Sequence, residues 1–471
     1  MKCPHILALV LGLAPCLSRA EVVCANIKDA MLTSKPVPPW RTDESPEQRD
    51  ARMAWWREAK FGMFVHWGPY AVYGAVYRGK PHKNSEWIYE NLKIPVAEYK
   101  ATAARFKPDA FDATALVSLA KRAGQKYIVI TAKHHDGFAL WPSKVGGFNF
   151  AESSGFTRDP LGELAAACKK EGIRLGFYYS QALDFTYPGG GKANDGAWDP
   201  AQDGFFEIYF NTVAIPQVNE LLTRYGPDVP AVLWFDVDAN RMNPDRIDRM
   251  LKVVRQHPSV ILNNRIKKNE PGDYGVAEAM IPPRGYSDRD WEAALMTHHT
   301  WGYSTHHTIK STQTHIHGLI DAASKGGNVL LNVAPDADGK IPEPVVQRLE
   351  EIGQWLKVNG EAIYASKATC FGSEAGSYHP TQKAKDGEPT FVPAWEWRCT
   401  TKPGKMYLHF FKWPTEKFAL AGVTGKVSKA YLLAERDKPV PVSQDGNNVV
   451  LTLPDKAPDP IASVVCVELS E

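Results

Sequence analysis

The stretch from Phe61 to about Gly360 alternates short apolar runs with amphipathic helical patterns, and this alternation constrains the fold more than any other feature. A strand of a parallel sheet is covered on both faces, so it reads as a continuous apolar run. Strand, helix and strand in repetition indicate a parallel α/β sheet, and this length favours a (β/α)8-like barrel. The predicted strands are Phe61–Trp67, Tyr127–Lys133, Arg174–Ser180, Ala231–Asp236, Val260–Arg265 and Asn328–Val333. The predicted helices are Ala113–Ala123, Gly162–Glu171, Val213–Tyr225, Pro244–Gln256 and Pro344–Val358.

The pattern changes after Gly360, where short apolar segments alternate with turn residues such as KPG, TGK and QDGNN. Runs of this kind predict a small antiparallel β-sandwich at the C-terminus. Its predicted strands are Met406–Lys412, Ala430–Leu433, Asn448–Leu453 and Ser463–Glu468. The expected organisation is therefore a lead-in over 21–50, a barrel over 51–360 and a β-sandwich over 361–471.

The first twenty residues are typical of a signal peptide. Lys2 supplies a positive charge, Ile6 to Pro15 is apolar, and Ser18-Arg19-Ala20 places small residues at the −3 and −1 positions of a cleavage site after Ala20. The apolar run is too short to span a bilayer. The sequence thus predicts a secreted or periplasmic protein without a membrane anchor after cleavage.

Net charge and cysteine content bear on the partners and the disulfides that this protein could have. The chain carries 55 Lys and Arg against 53 Asp and Glu, a net charge of +2, and this near balance gives no support for nucleic acid as a partner. Cys370, Cys399 and Cys466 cluster near the C-terminus, where export would be compatible with one disulfide between two of them. Cys168 lies on the apolar face of a predicted helix and is expected to be a buried thiol.

Five of the six predicted strands end in polar or ionisable residues. Barrel enzymes place their chemistry at the carboxyl ends of the strands, so these side chains are expected to converge on one mouth. The strand-end residues are His66, the run Lys133-His134-His135-Asp136, the pair Tyr179-Ser180, Asp236 and Arg265.

Asp236 is the strongest candidate for chemistry, because it ends the apolar run VLWFD and a buried carboxylate must be paired, hydrogen-bonded or functional. Glycoside cleavage needs two carboxyl groups that flank the scissile bond. The candidate partners are Glu278 and Glu292, both predicted to lie in loops after Arg265. Spacing alone does not choose between them.

Histidine offers a competing interpretation, since imidazole is a common metal ligand. Metal-dependent barrel hydrolases carry an HxH pair early, on a strand, whereas His315-Ile316-His317 comes late in a helix-like stretch. Neutral imidazoles can equally hydrogen-bond sugar hydroxyls. A metal-dependent hydrolase is therefore kept as the less favoured alternative.

Together these motifs resemble the α-L-fucosidases of glycoside hydrolase family 29. The matching segments are FGMFVHWGPYAVYG, SEWIY, TAKHHDGFALW, GFYYS, LWFD and SKGGNVLLNVAPDADGKIP, in the family's order from about Trp55 to Gly360. The resemblance implies a (β/α)8-like barrel followed by a β-sandwich. It also implies retaining hydrolysis of terminal α-L-fucosyl residues from glycans without metal or organic cofactor.

The resemblance also implies roles for individual residues. By its place in WFD, Asp236 would be the nucleophile; GDYGVAE is similar to the family's GDY-x-x-PE motif and selects Glu278 as acid/base, with Ala277 where the family has Pro. The fucose-binding positions would be His66, Glu86, Trp87, His134, His135, Tyr179, Trp234 and Arg265. A fucose-binding protein on the same fold that has lost catalysis is the alternative from a different class.

Overall fold

The computed structural model describes residues 31–32, 40–191, 196–267, 272–286, 288–383, 387, 389–415 and 417–470. The predicted signal peptide and Cys24 lie outside these residues. Within them, no helix combines the length and the apolar character needed to cross a bilayer.

Eight parallel strands form a nearly closed barrel, which confirms the predicted fold class. The strands are β1 (Phe61–Val65), β2 (Tyr127–Lys133), β3 (Arg174–Tyr179), β4 (Val232–Phe235), β5 (Ile261–Leu262), β6 (Tyr274–Glu278), β7 (Asp290–Met296) and β8 (Asn328–Val333). They follow chain order around the barrel, with β8 paired to β1. A single parallel bridge between Asn263 and Tyr274 joins β5 to β6.

Helices cover the outside of the barrel except after β5 and β6, where the described residues form none. The α-helices are Pro46–Ala59, Ile88–Asn91, Val96–Ala103, Ala113–Arg122, Phe150–Ser153, Pro160–Glu171, Phe206–Tyr209, Ile215–Arg224, Pro244–Val254, Thr312–Ser324 and Glu343–Asn359, and a π-helical turn spans Phe210–Ala214. Short two-residue strands occur at Met31–Leu32, Val76–Tyr77, Lys80–Pro81 and Gly285–Tyr286, and 3-10 turns at Pro69–Tyr73, Pro200–Gln202, Gly360–Ala362 and Ser373–Ala375.

Alternate residues of each strand face opposite sides of the barrel wall, as the two-residue period of a strand requires. Phe64, Tyr178 and Trp234 belong to the cluster that fills the interior, whereas Tyr179 and Phe235 pack with the surrounding helices. The helix Pro46–Ala59 contributes Met53, Trp56 and Ala59 to the interior cluster and so covers the barrel floor. The open end of the barrel is therefore the one where the strands terminate.

The prediction that Glu278 and Glu292 lie in loops is wrong. Glu278 is the last residue of β6 and Glu292 lies within β7. Both strands carry a glutamate and small residues instead of a continuous apolar run. A search for apolar runs therefore does not identify them as strands.

The C-terminal residues form a β-sandwich. Its strands are β9 (Gly376–Lys383), β10 (Pro389–Pro393), β11 (Trp397–Lys402), β12 (Lys405–Phe410), β13 (Lys417–Leu420), β14 (Lys426–Leu432), β15 (Glu435–Pro439), β16 (Val442–Asp445), β17 (Asn448–Thr452) and β18 (Ser463–Ser470). A five-stranded sheet, ordered β11-β12-β18-β14-β15, and a three-stranded sheet, ordered β13-β17-β16, share one apolar core. On the barrel side, Arg398 Nε lies 2.6 Å from Asp321 Oδ1, and both side chains are buried.

The four cysteines in the described part of the chain form no disulfide. Cys399 and Cys466 are buried thiols, and Cys370 Sγ lies 4.0 Å from Met406 Sδ, so no disulfide joins these three described cysteines. Cys168 is buried on its helix, as predicted. Adjacent strands and the shared core hold the sandwich together instead.

Candidate active site

Polar side chains at the ends of five strands, or just after them, meet at the open end of the barrel. Asp236 follows β4 directly, Arg265 follows β5, and Glu278 ends β6. His66 follows β1, and His134 and His135 follow β2. The parallel sheet therefore brings together residues that lie far apart in the sequence.

Asp236 is the most tightly held carboxylate of this group. Its Oδ1 accepts hydrogen bonds from Arg265 Nε at 3.0 Å and Nη2 at 2.5 Å, and its Oδ2 accepts one from the Tyr178 hydroxyl at 2.7 Å. His135 Nε2 lies 3.4 Å from Oδ2. The backbone is held too, because the Gln181 side chain bonds both the Asp236 N–H and the Asp236 carbonyl.

These contacts keep Asp236 ionised. Burial by itself raises the pKa of the carboxyl, but the Arg265 charge, the adjacent His135 imidazole and the hydrogen bond from Tyr178 outweigh it and hold the pKa well below its usual range. A carboxylate that stays charged at any working pH and is fixed in place can act as a nucleophile.

Glu278 shares the same guanidinium. Arg265 Nη1 lies 2.9 Å from Glu278 Oε2, and the Glu278 side chain is 42% exposed. Burial raises the pKa of Glu278; Arg265 opposes this and the charge of Asp236 adds to it, with a net upward shift. Two neighbouring carboxyl groups with pKa values moved in opposite directions are suited to opposite roles, one charged and one protonated.

Three imidazoles line the site, and burial favours the neutral form of two of them, His66 and His134. Burial lowers the pKa of His66 to about 4 and that of His134 well below its usual value. His66 Nδ1 lies 2.7 Å from Asn332 Oδ1, and His135 Nδ1 lies 2.7 Å from Ser180 Oγ. His134 Nδ1 is buried without a hydrogen-bond partner in the described part of the chain. This nitrogen can therefore form a hydrogen bond with a hydroxyl group of a ligand.

Glu86 and Trp87 border the histidines from the segment after β1. Glu86 is buried, and its Oε2 accepts hydrogen bonds from Thr300 Oγ1 at 2.7 Å and from the Gly302 N–H at 2.9 Å. The Trp87 ring lies 4.7 Å from the His135 ring. Glu86 thereby connects this segment to the residues that follow β7.

Aromatic rings form the floor of the site. Trp234 stacks on Tyr178 with ring centroids 5.5 Å apart, and the Arg265 guanidinium lies 5.3 Å from the Trp234 ring. Trp301, which no sequence motif indicated, also lies here, with its ring 5.2 Å from the His66 ring and 6.0 Å from the Phe64 ring. The only signal for Trp301 was its place a few residues after β7, the strand that was not recognised.

The structure does not bring Tyr179 to the site. Its hydroxyl donates to Gln217 Oε1 at 2.8 Å on the helical side of the barrel wall, and Tyr178 is the tyrosine that contacts Asp236. The predicted position of Tyr179 at the site is therefore wrong, because the motif GFYYS does not show which of two adjacent residues faces inward. Lys133 and Asp136 also point away, toward Tyr209 and Tyr99 respectively.

Tyr178 and Tyr179 therefore provide a matched pair of variants. Tyr178→Phe removes a hydrogen bond to the Asp236 carboxylate, and we expect kcat to fall about 10-fold to 100-fold. Tyr179→Phe removes a bond outside the barrel, and we expect it to lower the free energy of unfolding by about 1 kcal/mol with kcat unchanged. Steady-state kinetics and denaturant unfolding of both variants check this; equal losses of kcat would contradict the assignment.

Glu292 lies in the barrel interior beneath Trp234. It is fully buried and accepts hydrogen bonds from the Tyr127 hydroxyl at 2.5 Å and from Trp234 Nε1 at 3.3 Å. Burial raises its pKa to about 7. Its carboxyl group thus faces aromatic donors below the mouth, unlike Glu278, which reaches Arg265.

One set of described residues could together hold a metal ion: His134, His135 and Asp236, whose ligand atoms lie within 4.8 Å of one another. Both Asp236 oxygens already have protein donors, and Arg265 places a fixed positive charge against them. A second cation would be repelled there, so the donor set fits a metal poorly.

The chain is similar in sequence and in fold to known α-L-fucosidases. The family model for α-L-fucosidase matches residues 31–361. The tissue α-L-fucosidase of Bos taurus is 33% identical over 358 residues, covering 70% of this chain and 72% of the bovine protein. The structure of α-L-fucosidase isoenzyme 1 from Paenibacillus thiaminolyticus superposes with a TM-score of 0.76 at 31% identity, covering 90% of this chain and 100% of that one.

A third comparison is with a structure that holds a sugar. The Thermotoga maritima α-fucosidase in complex with fucose matches with a TM-score of 0.67 at 28% identity, covering 88% of this chain and 96% of that one. Sequence match, fold and the carboxylate pair at the barrel mouth lead to one assignment. The chain belongs to the α-L-fucosidase family, glycoside hydrolase family 29.

Proposed function

We propose that this protein is a retaining exo-α-L-fucosidase in which Asp236 is the nucleophile and Glu278 the acid/base. The observation that carries the proposal is the bridge through Arg265, which contacts both carboxyl groups. Retaining glycosidases hold their two carboxyl groups about 5–5.5 Å apart, whereas inverting enzymes leave about 6.5–9.5 Å for a water molecule. The resemblance to the family implies the retaining course, and the anomer that is formed first tests it.

The reaction then proceeds in two displacements. Asp236 attacks the anomeric carbon and forms a covalent fucosyl ester, while Glu278 gives its proton to the departing glycosidic oxygen. Glu278, now ionised, takes a proton from water, and the resulting hydroxide attacks the same carbon and releases Asp236. Two inversions return the product to the α configuration.

The surrounding residues would hold the fucosyl residue. His66, His134, His135 and Glu86 offer polar atoms for its hydroxyl groups, and Trp87 and Trp234 offer apolar surface for its ring and methyl group. Tyr178 replaces Tyr179 in this set, because it is the tyrosine at the site. The substrates would be fucosylated oligosaccharides or glycoconjugates.

Arg265 sets the pH range of activity in this mechanism. Its charge lowers the pKa of both Asp236 and Glu278, so its removal should raise both. The first step needs Asp236 ionised and Glu278 protonated, so kcat/KM falls below the first pKa and above the second. We expect both limbs of the kcat/KM profile of Arg265→Gln to move to higher pH. Arg265→Lys, which keeps a cation, is the control, and an unmoved acid limb in Arg265→Gln would contradict this.

Reaction class is tested by following an aryl α-L-fucoside by NMR, with and without EDTA. We expect nitrophenol release that survives EDTA and α-L-fucose as the first-formed anomer. β-L-Fucose first would indicate inversion, and loss of activity with EDTA and its recovery with zinc would indicate the metal-dependent alternative. Binding of fucose without turnover of either aryl fucosides or Lewis-type trisaccharides would indicate a binding protein.

We further propose that residues 1–20 are an export signal cleaved after Ala20, that residues 21–50 lead into a catalytic domain over 51–360, and that 361–471 is a separate β-sandwich domain. The apolar run in Ile6 to Pro15 supports the first point. N-terminal sequencing of the mature protein, with Glu21 as the expected first residue, tests the cleavage site.

A further inference from the structure

Asn332 is fully buried on β8, and its contacts fix the orientation of its side-chain amide. Nδ2 donates to the Trp301 carbonyl oxygen at 2.7 Å. The reversed amide would place Oδ1 against that carbonyl, so that two acceptors would face each other without a proton. The network therefore settles which end of the amide faces His66: it is Oδ1, 2.7 Å from His66 Nδ1.

An amide oxygen can only accept a hydrogen bond, so His66 Nδ1 must carry a proton. The ring is neutral at ordinary pH, because burial lowers its pKa to about 4. A neutral imidazole has one N–H, which leaves Nε2 as a bare acceptor. No hydrogen-bond partner of His66 Nε2 occurs among the described residues.

The groups around His66 are compatible with this state. Asp236 and His135 act on the ring electrostatically in opposite directions, and the His134 and Tyr178 rings lie 5.6 Å away. The Phe64 and Trp301 rings also pack against His66. Asn332 thus makes Nε2 the only acceptor atom of His66, and this atom lies in the same site as Asp236.

We propose that Asn332 is a positioning residue that locks His66 as the Nδ1–H tautomer, so that His66 Nε2 accepts a hydrogen bond from one hydroxyl group of the bound fucosyl residue. The identity of the sugar rests on the proposed function; the tautomer does not. A hydroxyl group is then required at that sugar position as a donor, and a methyl ether or a deoxy position there removes the bond.

The tautomer can be observed directly in the ligand-free protein. Long-range nitrogen–proton NMR of the full chain with labelled histidine, with His66 assigned by its loss in His66→Gln, distinguishes the two ring nitrogens. We expect a protonated Nδ1 and a bare Nε2 at neutral pH. A proton on Nε2, alone or together with one on Nδ1, would overturn the proposal whether or not the protein hydrolyses fucosides.

Asn332→Asp tests the consequence for binding. The new carboxylate stabilises the charged imidazolium, so His66 should keep a second proton on Nε2 and become a donor at both nitrogens. We expect KM for an aryl α-L-fucoside to rise about tenfold or more, and to recover partly as the pH rises and His66 loses that proton. An unchanged KM in a variant whose His66 is shown to be doubly protonated would contradict the proposal.

Asn328→Asp is the matched control. Asn328 lies on the same strand, is equally buried, and its Nδ2 donates to the Trp56 carbonyl oxygen at 2.7 Å near the barrel floor. The same chemical change there should lower the melting temperature but leave KM and the His66 tautomer unchanged. A similar rise of KM in Asn332→Asp and Asn328→Asp would show that Asn332 has only a structural role and would overturn the proposal.

Deoxygenated substrates identify the hydroxyl. The wild type and Asn332→Asp are compared on the 2-, 3- and 4-deoxy aryl fucosides, using kcat/KM. For one of the three deoxy sugars, we expect the wild type and Asn332→Asp to have the same kcat/KM. A difference that persists for all three would overturn the proposal, whereas absence of turnover with any fucoside in the wild type would instead overturn the proposed function.

Discussion

Asp236→Ala should lose about 10⁴-fold or more of kcat, the scale seen when the nucleophile of a covalent mechanism is removed. The side chain is held by Arg265 and Tyr178 and has no nearby substitute in the same position. The smaller alanine leaves room for an added anion. Azide or formate should therefore restore part of the activity toward an aryl fucoside.

The configuration of the rescued product makes this experiment specific. In Asp236→Ala, azide attacks from the face that Asp236 occupied, so a single inversion should give β-L-fucosyl azide. If Asp236 were instead the acid/base, azide would attack a fucosyl-enzyme and give the α product. NMR of the purified azide distinguishes the two, and an α-azide would contradict the assignment of the nucleophile.

Glu278→Ala should slow hydrolysis most for substrates whose leaving groups need a proton to depart. Loss of a general acid costs about 10²-fold to 10⁴-fold for glycosides of sugars, and much less for fucosides of acidic phenols. Burial and the charge of Asp236 shift the pKa of Glu278 upward, which favours the protonated form that the first step needs. The decline of kcat/KM at high pH, which reports loss of that proton, should disappear in the variant.

Glu292→Gln is the comparison for this prediction. Glu292 bonds Tyr127 and Trp234 below the site, so its replacement should act equally on good and poor leaving groups. Steady-state kinetics with a series of aryl fucosides and a natural trisaccharide measures the dependence. A leaving-group dependence in Glu292→Gln and none in Glu278→Ala would exchange the two roles.

The sequence was sufficient for the parts of the fold that are apolar throughout. The strands Tyr127–Lys133 and Asn328–Val333 have the predicted bounds. Both of their faces are buried, so nearly every residue in them is apolar and the run is visible in the sequence. The strands β6 and β7 were missed for the opposite reason. Each carries a glutamate, which marks a functional or interior position rather than a loop in this barrel.

The residues of the site were predictable where a motif ends a strand, and less so where the answer depends on which way a residue faces. His66, Asp236 and Arg265 follow their strands, and the barrel brings them together. The choice between Tyr178 and Tyr179 depends on strand phase, which a uniformly apolar strand conceals. Asn332 lies within an apolar strand, and its role depends on a contact with His66 that spans 266 residues of sequence.

The central claim is a covalent bond between fucose and Asp236, and trapping that ester tests it most directly. A 2-deoxy-2-fluoro-α-L-fucosyl donor with a good leaving group forms the ester quickly and hydrolyses it slowly, because fluorine destabilises both transition states while the leaving group speeds the first step. Intact mass followed by peptide mapping should find one sugar per chain, attached to Asp236. A stoichiometric adduct on any other residue, or steady turnover of this donor with no adduct, would contradict the mechanism.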